Sequence, residues 1–177
     1  MKRSVGLVLV FISVFAALPC VSIPATVLAV EWSYEKSAIR LHLKGDPQLN
    51  LYQGSAHTLM VCIYSLKDPN AFTQLADEKE GIPRLLECGR FDPSVTQAKR
   101  LVIQPGRDVI ESLDRPEGAK YVGLAAGYYD LRKERAVRLF PIPVTEEKRG
   151  STLILRPGVF EQRLTLGAHQ IQETGGK

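Results

Sequence analysis

Histidine and cysteine are scarce in this chain, and their scarcity narrows the chemistry that the protein can carry out. There are three histidines and three cysteines among 177 residues. His42, His57 and His169 lie far apart, and no two have the short helical spacing of a zinc motif. The sequence also shows no recognisable set of a nucleophile, a base and an orienting group, which a catalytic site would need. We therefore expect no metal, no cofactor and no enzymatic activity.

A strong excess of charge of one sign is also missing. The formal net charge is +4, and two of the positive charges belong to Lys2 and Arg3 at the N-terminus. So small an excess of positive charge argues against nucleic-acid binding, for which a clustered basic face would be expected. With 24% charged and 45% hydrophobic residues, the composition is that of an ordinary globular domain. Neither nucleic acid nor a small-molecule substrate is expected as a partner.

Residues 1–29 have the organisation of an export signal. A short basic start precedes an almost uninterrupted apolar run from Val5 to Leu18. Because this run is shorter than the roughly 20 residues of a membrane-spanning helix, cleavage is favoured over a retained anchor. Cleavage before Cys20 would create an acylated first residue, although Pro19 is unusual before a lipidated cysteine. Cleavage after Ala29, the better formed site, would release a soluble periplasmic chain.

Two cysteines remain once Cys20 is lipidated or removed. Export would place Cys62 and Cys88 in an oxidising compartment, where an even pair is a candidate disulfide. Two buried free thiols are the alternative, because cysteine also packs as a small apolar residue. The sequence leaves both possibilities open, since it does not give the distance between the two α-carbons.

Short strands separated by turn signals dominate residues 30–167. Residues 38–43 alternate between apolar and polar, and residues 59–66 form the apolar run of a central strand. Residues 69–91 carry helix signals and predict a small helical insert after this second strand. About seven or eight strands in one domain predict a β-sandwich or a barrel.

The end of the chain is predicted to form one more hairpin and then a tail. Residues 152–155 and 159–166 are both rich in apolar residues, and Pro157-Gly158 between them is typical of a tight turn. Residues 168–177 have no such pattern and are predicted to be flexible.

The polar loop over residues 45–58 is the strongest candidate for a functional segment, because long ordered loops tend to carry function. It nevertheless contains three apolar side chains, those of Leu49, Leu51 and Tyr52. These must either fold back onto the sandwich or face a partner. Tyr128-Tyr129 is a second candidate patch, although a strand end followed by a solvated turn explains it better.

Several local motifs occur in the order seen in one protein family. Leu49-Asn50 and a glycine-bearing loop precede the segment MVCIYSLKD at residues 60–68, and Phe72 follows. A turn at Pro105-Gly106 and the segment YVGLAAGYYD at residues 121–130 come next. Over about residues 38–166, the chain resembles the type VI secretion lipoproteins of the TssJ (SciN/VasD) kind.

This resemblance implies a fold and a task. The fold would be a transthyretin-like two-sheet β-sandwich with a small helical insert after the second strand. Family members are structural parts of the type VI secretion membrane complex, held at the inner face of the outer membrane by an acylated cysteine, here Cys20. They bind the periplasmic C-terminal region of an IcmF-like inner-membrane protein. The loop between the first two strands is implicated, so the candidate contacts are Leu49, Asn50, Leu51 and Tyr52.

A soluble periplasmic binding module is the alternative function. It would share the β-sandwich but would be released after Ala29 and would recognise a peptide or a glycan. Lipid on Cys20 and affinity for the secretion component would distinguish the two functions.

Overall fold

The computed structural model describes residues 26–28, 30–149 and 152–173. The predicted lipidation residue, Cys20, and most of the export signal lie outside this range. In chain order the strands are β1 (Thr26–Leu28), β2 (Glu35–Gly45), β3 (Leu59–Leu66), β4 (Val95–Ile103), β5 (Asp108–Arg115), β6 (Tyr121–Ala126), β7 (Val137–Pro141), β8 (Val144–Arg149), β9 (Thr152–Pro157), β10 (Phe160–Leu166) and β11 (Ile171–Glu173). The helices are α1 (Asn70–Asp77), α2 (Gly81–Leu85) and α3 (Lys133–Ala136).

Two four-stranded sheets form the sandwich. Their strand orders are β11-β10-β2-β5 and β4-β3-β6-β7. In β2, the alternating residues Ile39, Leu41 and Leu43 are buried, as expected for a strand with one face on the core. In β3 almost every residue is buried, because the helical insert covers its second face. The predicted mainly β sandwich with an insert after its second long strand is confirmed.

The insert packs on β3 through aromatic rings and a disulfide. The ring of Tyr64 lies 5.7 Å from that of Phe72 and 5.6 Å from that of Phe91. The Tyr64 hydroxyl donates a hydrogen bond to the Leu85 carbonyl, and burial raises its pKa to about 12. Cys62 on β3 and Cys88 after α2 form a disulfide, with α-carbons 5.2 Å apart. None of the helices in the described ranges is long and apolar enough to cross a membrane.

Gly123 on β6 leaves room for the insert. A β-carbon added there would lie 2.9 Å from ring carbons of Phe72, closer than normal contact. We therefore expect Gly123→Ala to lower the free energy of unfolding by about 1–3 kcal/mol through overpacking, measured by urea denaturation. Gly127→Ala is the matched control, because its new methyl group would meet its nearest neighbour at 3.6 Å. Equal losses in the two variants would contradict this explanation.

The predicted hairpin across Pro157-Gly158 is wrong. β9 pairs instead with β8, and β10 joins β2 in parallel, with Phe160 opposite Ile39. The Gly158 amide donates a hydrogen bond to the Pro143 carbonyl at 2.7 Å, so this turn carries the chain from one sheet to another. The core position beside β2, where Phe160 is buried, outweighs the local turn signal.

The predicted flexible tail is in part an ordered strand. Ile171–Glu173 pairs antiparallel with β10, and the Ile171 side chain is buried. The Gly167 amide donates to the Gln170 carbonyl at 3.0 Å and closes the turn between the two strands. Burial of Ile171, the pairing with β10 and a hydrogen bond from Arg138 to the Ile171 carbonyl together hold these residues in place. Residues 174–177 lie outside the described part of the chain.

The sandwich has two ends, separated by the length of β2. At the first, buried Arg115 donates to the Ser33 carbonyl at 3.3 Å, to the Glu35 carboxylate at 2.8 Å and to the Gly158 carbonyl at 3.2 Å. We call this the proximal end, and the end where β2 stops at Gly45 the distal end. The 11 residues of β2 place them about 35 Å apart.

Candidate interaction surface at the distal end

Three loops meet at the distal end, two of them joined by backbone hydrogen bonds and the third joined to them through the side chain of Asn50. They are residues 46–58 between β2 and β3, residues 127–132 after β6, and residues 167–170 between β10 and β11. The Leu51 amide donates to the Ala168 carbonyl at 2.9 Å. The long loop of residues 46–58 is therefore packed on the rest of the domain and does not project away from it.

Asn50 connects two of these loops through its side chain. Its amide nitrogen donates to the Thr58 carbonyl at 3.1 Å, and its amide oxygen accepts a hydrogen bond from the Tyr129 backbone at 3.1 Å. The residue has φ of 48°, a left-handed conformation that asparagine tolerates better than most residues. Asn50 is buried, and its side-chain hydrogen bonds fix the two loops relative to each other.

Tyr52, His57 and Tyr129 form an exposed aromatic cluster. The rings of Tyr52 and Tyr129 stack at 4.2 Å with 15° between their planes, and His57 meets Tyr129 edge-on at 5.2 Å. The Tyr52 and Tyr129 side chains are 45% and 54% exposed. Two large apolar rings are thus held in one orientation in contact with solvent.

A tight turn orients Tyr52. Its amide donates to the Ser55 carbonyl at 2.9 Å, and the Ser55 amide donates back at 3.0 Å. Gln53 and Gly54, between them, have φ of 48° and 78°. Two successive residues with positive φ are typical of a type I′ turn, for which glycine at the second position is well suited.

A groove of about 430 Å³ runs beside the aromatic cluster, lined by residues 50–52, 128–130 and 168–169 together with Arg135. Tyr128 is buried there, and burial raises the pKa of its hydroxyl group, so the ring is uncharged at neutral pH. The Asp130 carboxylate accepts hydrogen bonds from Arg135 at 2.6 Å and from Arg132 at 3.1 Å. The groove therefore has an aromatic wall and a charged end whose groups are already paired.

The four predicted contact residues differ in how far they are exposed to solvent. Leu49 is fully buried, so it folds back onto the sandwich and anchors the loop. Asn50 is buried as well, Leu51 is half-buried in the groove, and Tyr52 is exposed. The second ring of the aromatic cluster belongs to Tyr129. The sequence alone favours a strand end and a solvated turn as the explanation of Tyr128-Tyr129. The sequence did contain a signal for this arrangement. If the alternation of side chains in β6 continues beyond the strand, Tyr128 points inward and Tyr129 points outward.

Only two of the three histidines lie at the same end of the sandwich. His57 and His169 border the distal end, whereas His42 lies on β2 with its ring nitrogen 3.4 Å from a Glu161 carboxylate oxygen. Among the described residues, no group of three histidine, cysteine, aspartate or glutamate side chains could hold a metal ion.

Asn50→Ala is expected to loosen the distal end. It removes both side-chain hydrogen bonds and strains the left-handed backbone, at a cost of about 1–2 kcal/mol in the free energy of unfolding. Amide hydrogen exchange of residues 50–58 and 128–130 should become faster, while that of β3 should not change. Asn50→Gly keeps the backbone conformation and separates the two causes, since it should recover part of the loss. Unchanged exchange in Asn50→Ala would contradict a positioning role.

Comparison with protein families gives one match, over residues 37–169, to the family described as type VI secretion lipoprotein, VasD, EvfM, TssJ. Among curated proteins, none is detectably similar to this chain in sequence.

Several solved structures have a similar fold. The T6SS lipoprotein TssJ1 from Pseudomonas aeruginosa is 19% identical, with a TM-score of 0.57, covering 82% of this chain and 98% of that one. Lip from Serratia marcescens, a membrane-bound component of the type VI secretion system, is 16% identical, with a TM-score of 0.56 and coverages of 82% and 99%. A chain of the structure described as the C-terminal domain (869–1107) of the T6SS protein TssM from EAEC is 17% identical, with a TM-score of 0.58 and coverages of 78% and 98%. At such identities the similarity establishes the fold.

Proposed function

The chain belongs to the type VI secretion lipoprotein family, and on that premise we propose that it binds the periplasmic C-terminal region of an IcmF-like inner-membrane protein through its distal end. In this role it is a structural component of the type VI secretion membrane complex and performs no catalysis. One of the structures with a similar chain is described as the C-terminal domain of TssM, and this match supports the choice of partner.

The exposed aromatic cluster is the observation that carries this proposal. Tyrosines are enriched among the residues that dominate binding energy at protein interfaces. Tyr52 and Tyr129 are stacked before any partner arrives, so little side-chain freedom remains to be lost on binding. The groove beside them, with Leu51 in its wall, offers a place for an apolar side chain of the partner.

We further propose that lipid on Cys20 holds the protein at the periplasmic face of the outer membrane. Thr26–Leu28 pairs with β9 as the third strand of a small sheet, β1-β9-β8. Cleavage after Ala29 would remove β1 and leave the backbone groups of β9 unpaired along one edge, which favours association with other chains. Cleavage before Cys20 keeps β1, so the pairing supports this position despite Pro19.

Intact mass spectrometry of the protein from its native membrane fraction tests the attachment. We expect a chain that begins at Cys20 and carries the added mass of a diacylglyceryl group and an acyl chain. A chain that begins at Val30 without lipid would refute the anchor. Binding is tested separately with the purified periplasmic domain of the IcmF-like protein from the same genome. Absence of affinity would refute the proposed partner and favour a peptide- or glycan-binding module.

A further inference from the structure

We propose that the hairpin of β8 and β9 lies with its tip against anionic phospholipid headgroups of the membrane. We call these two strands, Val144–Arg149 and Thr152–Pro157, the arm. The inference rests on the proposed lipid at Cys20, and it adds a second contact with the membrane and an orientation of the whole domain.

The register of β1 shows where the N-terminal segment meets the arm. β1 runs parallel to β9, with Thr26 opposite Thr152 and Leu28 opposite Ile154. Thr152 is also the partner of Arg149 in β8, so this position is the tip of the arm. The chain therefore reaches the arm at its tip and runs along it toward the sandwich.

The tether between the anchor and the tip is short. Only residues 20–25 precede Thr26 in a chain that begins at Cys20. At about 3.4 Å per residue, they span at most roughly 20 Å even when fully extended. Lipid on Cys20 therefore keeps the tip of the arm close to the membrane surface.

The base of the arm is held on the sandwich, so that the arm is not an independent tether. Arg115 donates hydrogen bonds to the Gly158 carbonyl, just after β9, and to the Ser33 carbonyl, just before β2. The Gly118 amide donates to the Trp32 carbonyl at 2.7 Å. The segment that follows β9 and the segment that follows β1 are thus both fastened to the proximal end, so a contact at the tip orients the domain.

The charges of the arm become more positive toward its tip. Val144 begins β8 at the base, the acidic residues Glu146 and Glu147 follow, and Lys148 and Arg149 end the strand. Glu147 is paired across the hairpin with Arg156 at 3.8 Å, and Lys148 is exposed. Each cation near an anionic membrane surface favours binding by about fivefold, which fits headgroups with a net negative charge.

The experiment measures amide hydrogen exchange of the acylated protein on vesicles and in detergent. On vesicles of phosphatidylethanolamine with phosphatidylglycerol, we expect exchange at residues 147–149 and 152–154 to be slowed about fivefold or more relative to detergent. Residues 46–58 at the distal end should exchange equally in both. On vesicles of phosphatidylcholine alone, slowing at the arm should largely disappear.

Charge reversal supplies the matched comparison. Lys148→Glu/Arg149→Glu should abolish the slowing at the arm, because the tip would then be repelled by the net negative charge of the phosphatidylglycerol headgroups. Arg40→Glu/Lys44→Glu makes the same change of charge at exposed positions on β2 and should leave the slowing intact. If both double variants lose it equally, net charge rather than the arm is responsible, and the proposal fails.

The two proposals fail in different ways. The acyl mass is verified on the same sample, so a missing lipid would refute the attachment and this inference with it. A lipidated protein whose arm exchanges at the same rate on vesicles and in detergent would overturn the arm contact alone. Equal slowing on both kinds of vesicle would overturn the assignment to anionic headgroups.

Discussion

Tyr52→Asp is expected to weaken binding of the IcmF-like periplasmic domain by about thirtyfold, or about 2 kcal/mol. The substitution removes one of the two stacked rings and places a carboxylate where an apolar partner surface would have to desolvate it. The free protein should lose little stability, because the Tyr52 side chain is 45% exposed. Isothermal titration calorimetry, with the partner domain titrated into each variant, measures the change in Kd.

A control at the opposite end of the sandwich makes this result specific. Val159 lies at the proximal end and, at 47% exposed, is matched to Tyr52 in exposure. Val159→Asp should therefore bind the partner as the unmodified protein does. Tyr52→Phe keeps the stacked ring and should retain most of the affinity. Undiminished binding by Tyr52→Asp would rule out the aromatic cluster as the contact.

Removal of the disulfide should produce the largest loss of stability. Cys62 and Cys88 are 26 residues apart in sequence, and closing a loop of this length restricts the unfolded chain. The expected cost of Cys62→Ala/Cys88→Ala is about 3 kcal/mol in the free energy of unfolding, measured as a lower urea midpoint. The insert should be affected most, because this bond and the rings around Tyr64 hold it on β3.

Reductant gives an independent test of the same bond. Dithiothreitol should lower the urea midpoint of the unmodified protein toward that of the double variant and should have no effect on the double variant itself. A loss smaller than about 1 kcal/mol in the double variant would mean that packing alone holds the insert.

The parts of the fold that follow from short-range patterns were predictable. Alternation over residues 38–43 identifies the buried face of β2, and the continuous apolar run at residues 59–66 anticipates a strand covered on both sides. The helix signals after residue 69 identify the insert, because a new periodicity replaces that of the strands. In each case, the residues that carry the signal are neighbours in sequence.

The predictions that were wrong or incomplete concern contacts between residues far apart in the chain. Pro157-Gly158 is a good hairpin signal, but β10 obtains a better core position beside β2 than beside β9. Leu49 and Tyr52 are both apolar residues in one loop, and only the surrounding strands decide that the first is buried and the second exposed. Tyr129 becomes part of the aromatic cluster because Asn50 binds its backbone, a contact that spans 79 positions.

The parallel pairing of β2 with β10 also constrains the order in which the protein can fold. An exported chain emerges from its N-terminus, and β2 must wait for residues 160–166 before one of its two edges is covered. Such long-range pairing is slow, and an uncovered strand edge can associate with other chains meanwhile. Since β2 is central to its sheet, most of the domain must be translocated before the first sheet is complete, and a chain truncated after the arm would display β2 as a permanent edge.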